Sequence, residues 1–161
     1  MTIDRDRIEG EIRWYNKNLE SVKTKLKMWL EELGHNVSIS EKEATNNEEP
    51  SGLYKTKQFQ FIIDSNLKIS LIPYGIWLIG TKGRIDISGP SGSEKLIFLS
   101  KGGSGMISEV KKETDLAIEK SSHKYFKNVD IEDWYWYDDS SYRVLSRFTK
   151  DIVEPLLERL Q

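Results

Sequence analysis

The chain contains no cysteine, which excludes disulfides, thiolate metal sites and cysteine nucleophiles. It has only two histidines, and no acid–histidine–serine set is evident around either of them. No apolar run approaches the roughly 20 residues that a membrane-spanning helix requires. The opening Met1-Thr2-Ile3-Asp4-Arg5-Asp6 lacks the apolar stretch of a signal peptide. Neither sign of charge is in excess: 24 Lys and Arg stand against 26 Asp and Glu, for a net charge of -2. That balance gives no global basic footprint for nucleic acid. What is present is 37% hydrophobic and 31% charged residues over 161 positions, the composition of one globular domain with a heavily solvated surface. The expectation is a cytoplasmic protein without a membrane partner.

The clearest pattern lies at the N-terminus. Ile8, Ile12, Tyr15, Leu19, Val22, Leu26, Trp29 and Leu33 recur at alternating spacings of four and three, a seven-residue period. It predicts a helix over 4–34, capped by Asp4 or Asp6 and closed by Gly34. Such a helix is about 40 Å long, twice the ~20 Å of a typical strand. Part of its seam is therefore predicted to meet a second helix, either the C-terminal one or the same helix of another copy. Ile12, Tyr15, Leu19, Val22, Leu26 and Trp29 are the candidate association residues, for a homodimer or a foreign protein.

Residues 38–52 carry Glu41, Glu43, Glu48 and Glu49 against Lys42, and read as an acidic loop with a short strand at Val37 and Ile39. Over 53–101 the period becomes two. Phe59, Phe61 and Ile63, then Leu67, Ile69 and Leu71, flank an Asp64-Ser65-Asn66 turn. The run Ile76–Ile79, the alternation at Ile85 and Ile87, and Leu96–Leu99 complete an antiparallel meander of about five strands, since short turns cannot join parallel ones. Residues 106–161 then predict a helix from Met106 to Lys120, a hairpin built on Trp134-Tyr135-Trp136-Tyr137 and Tyr142–Leu145, and a closing helix. Ile152, Val153, Leu156, Leu157 and Leu160 share one face of that helix, with Thr149 or Asp151 as its cap. The fold class is α+β in a single domain.

Three features bear on chemistry. Trp134 and Trp136 point one way from their strand and Tyr135 and Tyr137 the other, so one pair is predicted to fill the core and the other to offer a binding surface. The flanking Asp130, Glu132, Asp133, Asp138 and Asp139 would repel phosphate and favour a basic protein partner over nucleic acid. Those acids lack the spacing of a calcium loop. Second, Gly102-Gly103-Ser104-Gly105, between a strand and a helix, matches no phosphate-binding fingerprint and reads as a surface turn.

Third, Gly83-Arg84-Ile85-Asp86-Ile87 followed by Leu96-Ile97-Phe98-Leu99-Ser100-Lys101 resembles the metal-binding hairpin of the restriction-endonuclease-like, or PD-(D/E)XK, nucleases. The resemblance spans residues 76–120. It implies Asp86 as a ligand for a divalent metal and Lys101 as stabiliser of charge on the reacting oxygen. The acidic position between them holds Leu99, which cannot ligate. Asp86 is therefore expected to be a surface residue paired with Arg84, with no metal and no cofactor. The favoured reading is a non-enzymatic protein-interaction module; a bacterial accessory, chaperone-like or toxin-neutralising role fits by analogy. The alternative is a metal-dependent nuclease or an inactive relative of that fold.

Overall fold

The long N-terminal pattern folds as helix α1, Arg5–Glu32. The Asp4 carboxylate accepts the Arg7 N–H at 3.1 Å and caps its start. At its end Gly34 takes φ +97°, with Gly34 N–H bonded to the Glu31 carbonyl and His35 N–H to that of Leu30. This pairing is a Schellman closure, and glycine meets its left-handed requirement. The computed structural model describes residues 4–101, 129–138 and 144–161.

Among the described residues, seven strands follow in one antiparallel sheet whose spatial order is the order of the chain. They are β1 Val37–Glu48, β2 Gly52–Ile63, β3 Leu67–Gly75, β4 Gly83–Gly89, β5 Gly92–Leu99, β6 Asp133–Asp138 and β7 Val144–Arg147. A single 3-10 turn, Lys150–Ile152, leads into helix α2, Val153–Leu160. Pro155 falls in the first turn of α2, where its missing N–H costs no helical bond. Thr149 precedes the 3-10 turn without making a side-chain cap. The α+β class holds, with seven strands in place of about five.

Two expectations are corrected here. Residues 38–52 are not an acidic loop. Val37–Glu48 pairs with β2 along its whole length, from Val37 opposite Ile63 to Glu48 opposite Gly52. As the outer strand, β1 is held by its backbone ladder; its side chains alternate over Val37–Ser40 and again over Ala44–Glu48, and the exposed run Glu41-Lys42-Glu43 breaks that alternation. The run Ile76–Ile79, conversely, is not a strand. It leaves the sheet between β3 and β4, with only an isolated bridge from Leu78 to Thr81, and Gly80 at φ +84° turns it back. The expected Met106–Lys120 helix, the Gly102–Gly105 turn and the 139–143 end of the last hairpin lie outside the described residues.

The core forms where α1 and α2 cover one face of the sheet. From α1, Tyr15, Leu19, Val22, Leu26 and Leu30 are buried, at spacings of four, three, four and four. That is the drift of a straight 3.6-residue helix away from a strict seven-residue seam, and it turns Leu33 out to solvent. Beneath them lie Phe59, Phe61, Leu71, Ile85, Ile87 and Leu96. Trp14 meets Phe98 edge-on at 4.8 Å and Trp29 meets Phe148 at 5.0 Å. Burying a Leu or Val contributes roughly 1.5–3 kcal/mol, so α1 is integral to the fold. The seam is thus occupied within its own chain: Tyr15, Leu19, Val22 and Leu26 are interior, and Ile12 and Trp29 pack against the same core. These six residues are not a free association surface, because the chain's own sheet and α2 cover them, and β1 and β2, at 12 residues or about 40 Å each, are twice the length expected of a strand.

Candidate binding groove

The segment that leaves the sheet, residues 76–82, is fixed at both ends. Glu48, at the end of β1, accepts the Ile76 N–H at 3.0 Å and the Trp77 N–H at 3.0 Å, and the Tyr54 hydroxyl donates to the same carboxylate. Burial, followed by that hydrogen bond to Glu48, pushes the Tyr54 phenol well above its ordinary value. The carboxylate packs closely over Gly75: a Cβ there would stand 3.1 Å from a Glu48 carboxylate oxygen, tighter than an ordinary contact. Asn46 Nδ2 donates to the Pro73 carbonyl at 3.1 Å just before the segment. At its far end, the Lys82 N–H donates to the Phe98 carbonyl at 2.9 Å. Trp77 then crosses to the helix, its Nε1 donating to Glu11 at 3.0 Å.

The first turns of α1 stand opposite. Between the two walls runs a groove of about 580 Å³, lined by Arg7, Glu11 and Trp14 on one side and by Ile76 to Ile79, Thr81 and Lys82 on the other. Its walls are mainly apolar, and Ile79 is 79% exposed. The Thr81 hydroxyl is buried without a hydrogen-bond partner among the described residues. Arg7 lies 3.8 Å from Glu11, and Lys82 lies 3.7 Å from Glu132. The arrangement presents an apolar slot with charged lips, suited to seating a side chain.

The residues singled out from the sequence lie elsewhere. Trp134 and Trp136 are buried on the core face, their indole N–H groups donating to Asn18 at 3.2 Å and Glu94 at 2.9 Å. Tyr135 and Tyr137 face the other way, partly buried against Ile97, Leu99 and Val129. Tyr135 donates to the Ile131 carbonyl at 2.7 Å, and burial raises its phenol above the ordinary range.

Asp86 and Lys101 are not brought together. The β4–β5 register sets Lys95 opposite Asp86, and Lys101 lies past the end of β5, six residues or about 20 Å further along. Asp86 instead holds Arg84 through bonds of 2.7 and 3.2 Å, and that guanidinium stacks 3.7 Å from the Tyr74 ring centre. Leu99 is buried and pairs with Asp133 of β6. No three His, Asp or Glu residues are grouped to hold a metal among the described residues.

The other notable polar constellation is His35. Its Nδ1 meets Asp64 of the β2–β3 turn at 2.7 Å and its Nε2 meets Glu154 of α2 at 2.9 Å. The hydrogen bonds to Asp64 and then Glu154 raise the imidazole above its ordinary value. Those to His35 and to the Asn36 N–H hold Asp64 below the usual carboxylate range. The two ring nitrogens point to different acids on different elements, so the trio is a structural clamp rather than a convergent ligand set.

The groove was not legible as a site, although glycines at 75 and 80 around Trp77-Leu78-Ile79 were a signal that the run could be a loop. No protein-family model matches the chain, and neither a curated protein nor a solved structure gives a significant match.

Proposed function

We propose that the protein is a non-enzymatic interaction module that seats an apolar side chain of a partner protein between α1 and residues 76–82. The observation that carries this reading is the exposure of Ile79 on the rim of a preformed, largely apolar groove. An aliphatic side chain held in water beside Trp77 and Trp14 offers apolar surface to a ligand without any unfolding. The pinning of the 76–82 wall by Glu48 supports the same reading, because a rigid wall lowers the ordering cost of binding. Association by this route needs neither metal nor cofactor.

A random-peptide display selection tests it, with Ile79→Asp as the counter-selected protein. Ile79 is exposed enough that the substitution should leave the fold intact, which a thermal melt checks. Enrichment of sequences that hold wild type and release Ile79→Asp is the expected result. If no sequence is enriched on wild type over the variant, the groove is not a protein-binding site.

A further inference from the structure

His35 ties together three elements that are distant in the chain. Its backbone N–H closes the end of α1 on the Leu30 carbonyl, its Nδ1 lies 2.7 Å from Asp64 of the β2–β3 turn, and its Nε2 lies 2.9 Å from Glu154 in the first turn of α2. Both side-chain acceptors are carboxylates, so both ring nitrogens must carry a proton for both bonds to exist. Only the imidazolium meets that condition. A neutral ring has one N–H and turns a lone pair toward the other acid. The raised value of the imidazole agrees with a ring that is tied twice while charged.

The two acids are not equally free to leave. Asp64 is held independently of the ring: its other carboxylate oxygen accepts the Asn36 N–H at 2.9 Å, and its own N–H donates to the Asn36 carbonyl at 2.8 Å. The Glu154 carboxylate bonds only His35 among the described residues, and its side chain is 52% exposed. The other charged groups on the elements that meet here do not bond the ring. Glu31 pairs with Lys27 and Glu32 with Lys150, while Asp151 and Glu158 are exposed.

We infer that His35 is a proton-controlled latch on α2: on deprotonation the ring keeps its Nδ1–H on Asp64, gives its Nε2 proton to solvent and releases Glu154. The helix is then held by its buried Val153, Leu156, Leu157 and Leu160, by Arg159 on Asp138 and by the preceding Lys150 on Glu32. It stays docked but opens more often. Two measurements on the full chain test this while pH is raised through the titration of the ring. Nitrogen-15 NMR of the imidazole reports the neutral tautomer, with His123→Gln removing the only other histidine signal. The Nδ1–H form is expected; the Nε2–H form would mean that Glu154 is kept, and overturns the inference. Hydrogen exchange at the Leu157 to Leu160 amides reports the opening of α2. The wild-type rate is divided by that of Glu154→Gln, which cancels the intrinsic pH dependence of exchange. The carboxamide introduced there accepts from the charged ring and donates to the neutral one, so it stays tied at every pH. Loss of an exposed ion pair corresponds to about a 1.4-fold to 5-fold change in opening. The ratio is expected to rise by that factor as the ring loses its proton. A ratio that stays flat through the titration overturns the latch.

Discussion

Gly89 closes β4 against the last turn of α2, and the space there is already full. A Cβ on residue 89 would lie 2.6 Å from the Leu160 carbonyl oxygen and 2.8 Å from the Leu160 Cβ. Both are far inside ordinary contact, and the first is a backbone atom that also accepts the Ser91 N–H at 3.0 Å. Gly89→Ala therefore has two ways to relax. Either β4 and α2 move apart under strain, at about 1–3 kcal/mol, or the last turn of α2 detaches and re-exposes Leu160, at roughly 1.5–3 kcal/mol. Both routes predict a loss of about 1–3 kcal/mol. With an unfolding entropy near 2.1 cal/mol/K per residue, a chain of this length loses about 3–9 °C in Tm. Calorimetry of wild type and variant reads this directly. Removing Leu160 and Gln161 from both proteins then removes the obstacle, so that Gly89→Ala should cost nothing further in the shortened pair. A variant melting within a degree of wild type would refute the packing argument, and so would an undiminished cost in the shortened pair.

Three further outcomes are expected. Gly10→Ala acts in the opposite direction: its Cβ meets only the Arg13 guanidinium at 3.8 Å, so replacing a helical glycine should raise stability by about 0.5–1 kcal/mol in urea unfolding. Glu48→Ala leaves the Ile76 and Trp77 N–H groups and the Tyr54 hydroxyl without their acceptor, and should cost roughly 1.5–3 kcal/mol in the same assay. A change below 0.5 kcal/mol would mean that the carboxylate does not fix the wall. His35→Gln should show a pH-dependent deficit. The imidazole is raised in the fold, so its contribution is complete below its ordinary 6.5 and is lost as pH climbs through the raised value. Asp64 is depressed, so its contribution is complete above its ordinary 3.8 and is lost as pH falls through the lowered value. The difference in melting temperature between wild type and variant should thus be widest between about pH 4 and 6.5, and should narrow as pH rises through the raised value of the imidazole. A flat difference would count against the clamp.

The parts of the fold that were legible are those written locally. Asp4 and Gly34 bracket α1 by capping chemistry that needs only a few neighbouring residues. The β2–β3 turn is marked by Asp64 and Ser65, which both adopt positive φ in the manner of a type I′ turn. β1 escaped because an edge strand is held by backbone bonds, and Glu41-Lys42-Glu43 carries no apolar alternation to betray it. Ile76–Ile79 was misassigned because a short apolar run is equally consistent with a buried strand and with a loop packed on a helix. The groove itself joins residues 7–14 to residues 76–82, and no periodicity connects segments that far apart. The six seam residues were read correctly as apolar and helical, but the sequence pattern is the same whether the covering surface belongs to this chain or to another.

The sequential strand order has a consequence for how the protein is made. α1 is synthesised first, yet the surfaces that cover it include β2, β4 and the tryptophans of β6. From Leu30 to Trp134 the ribosome adds about a hundred residues, which at 5–20 residues per second takes roughly 5–20 s. Through that interval each new strand can pair at once with the one before it, so the sheet can grow hairpin by hairpin behind the ribosome. The apolar stripe of Tyr15, Leu19, Val22, Leu26 and Leu30 gains its full cover only after β6 has emerged. Nascent chains arrested before Trp134 should therefore engage hydrophobic-binding chaperones through this stripe, and chains arrested after α2 should not.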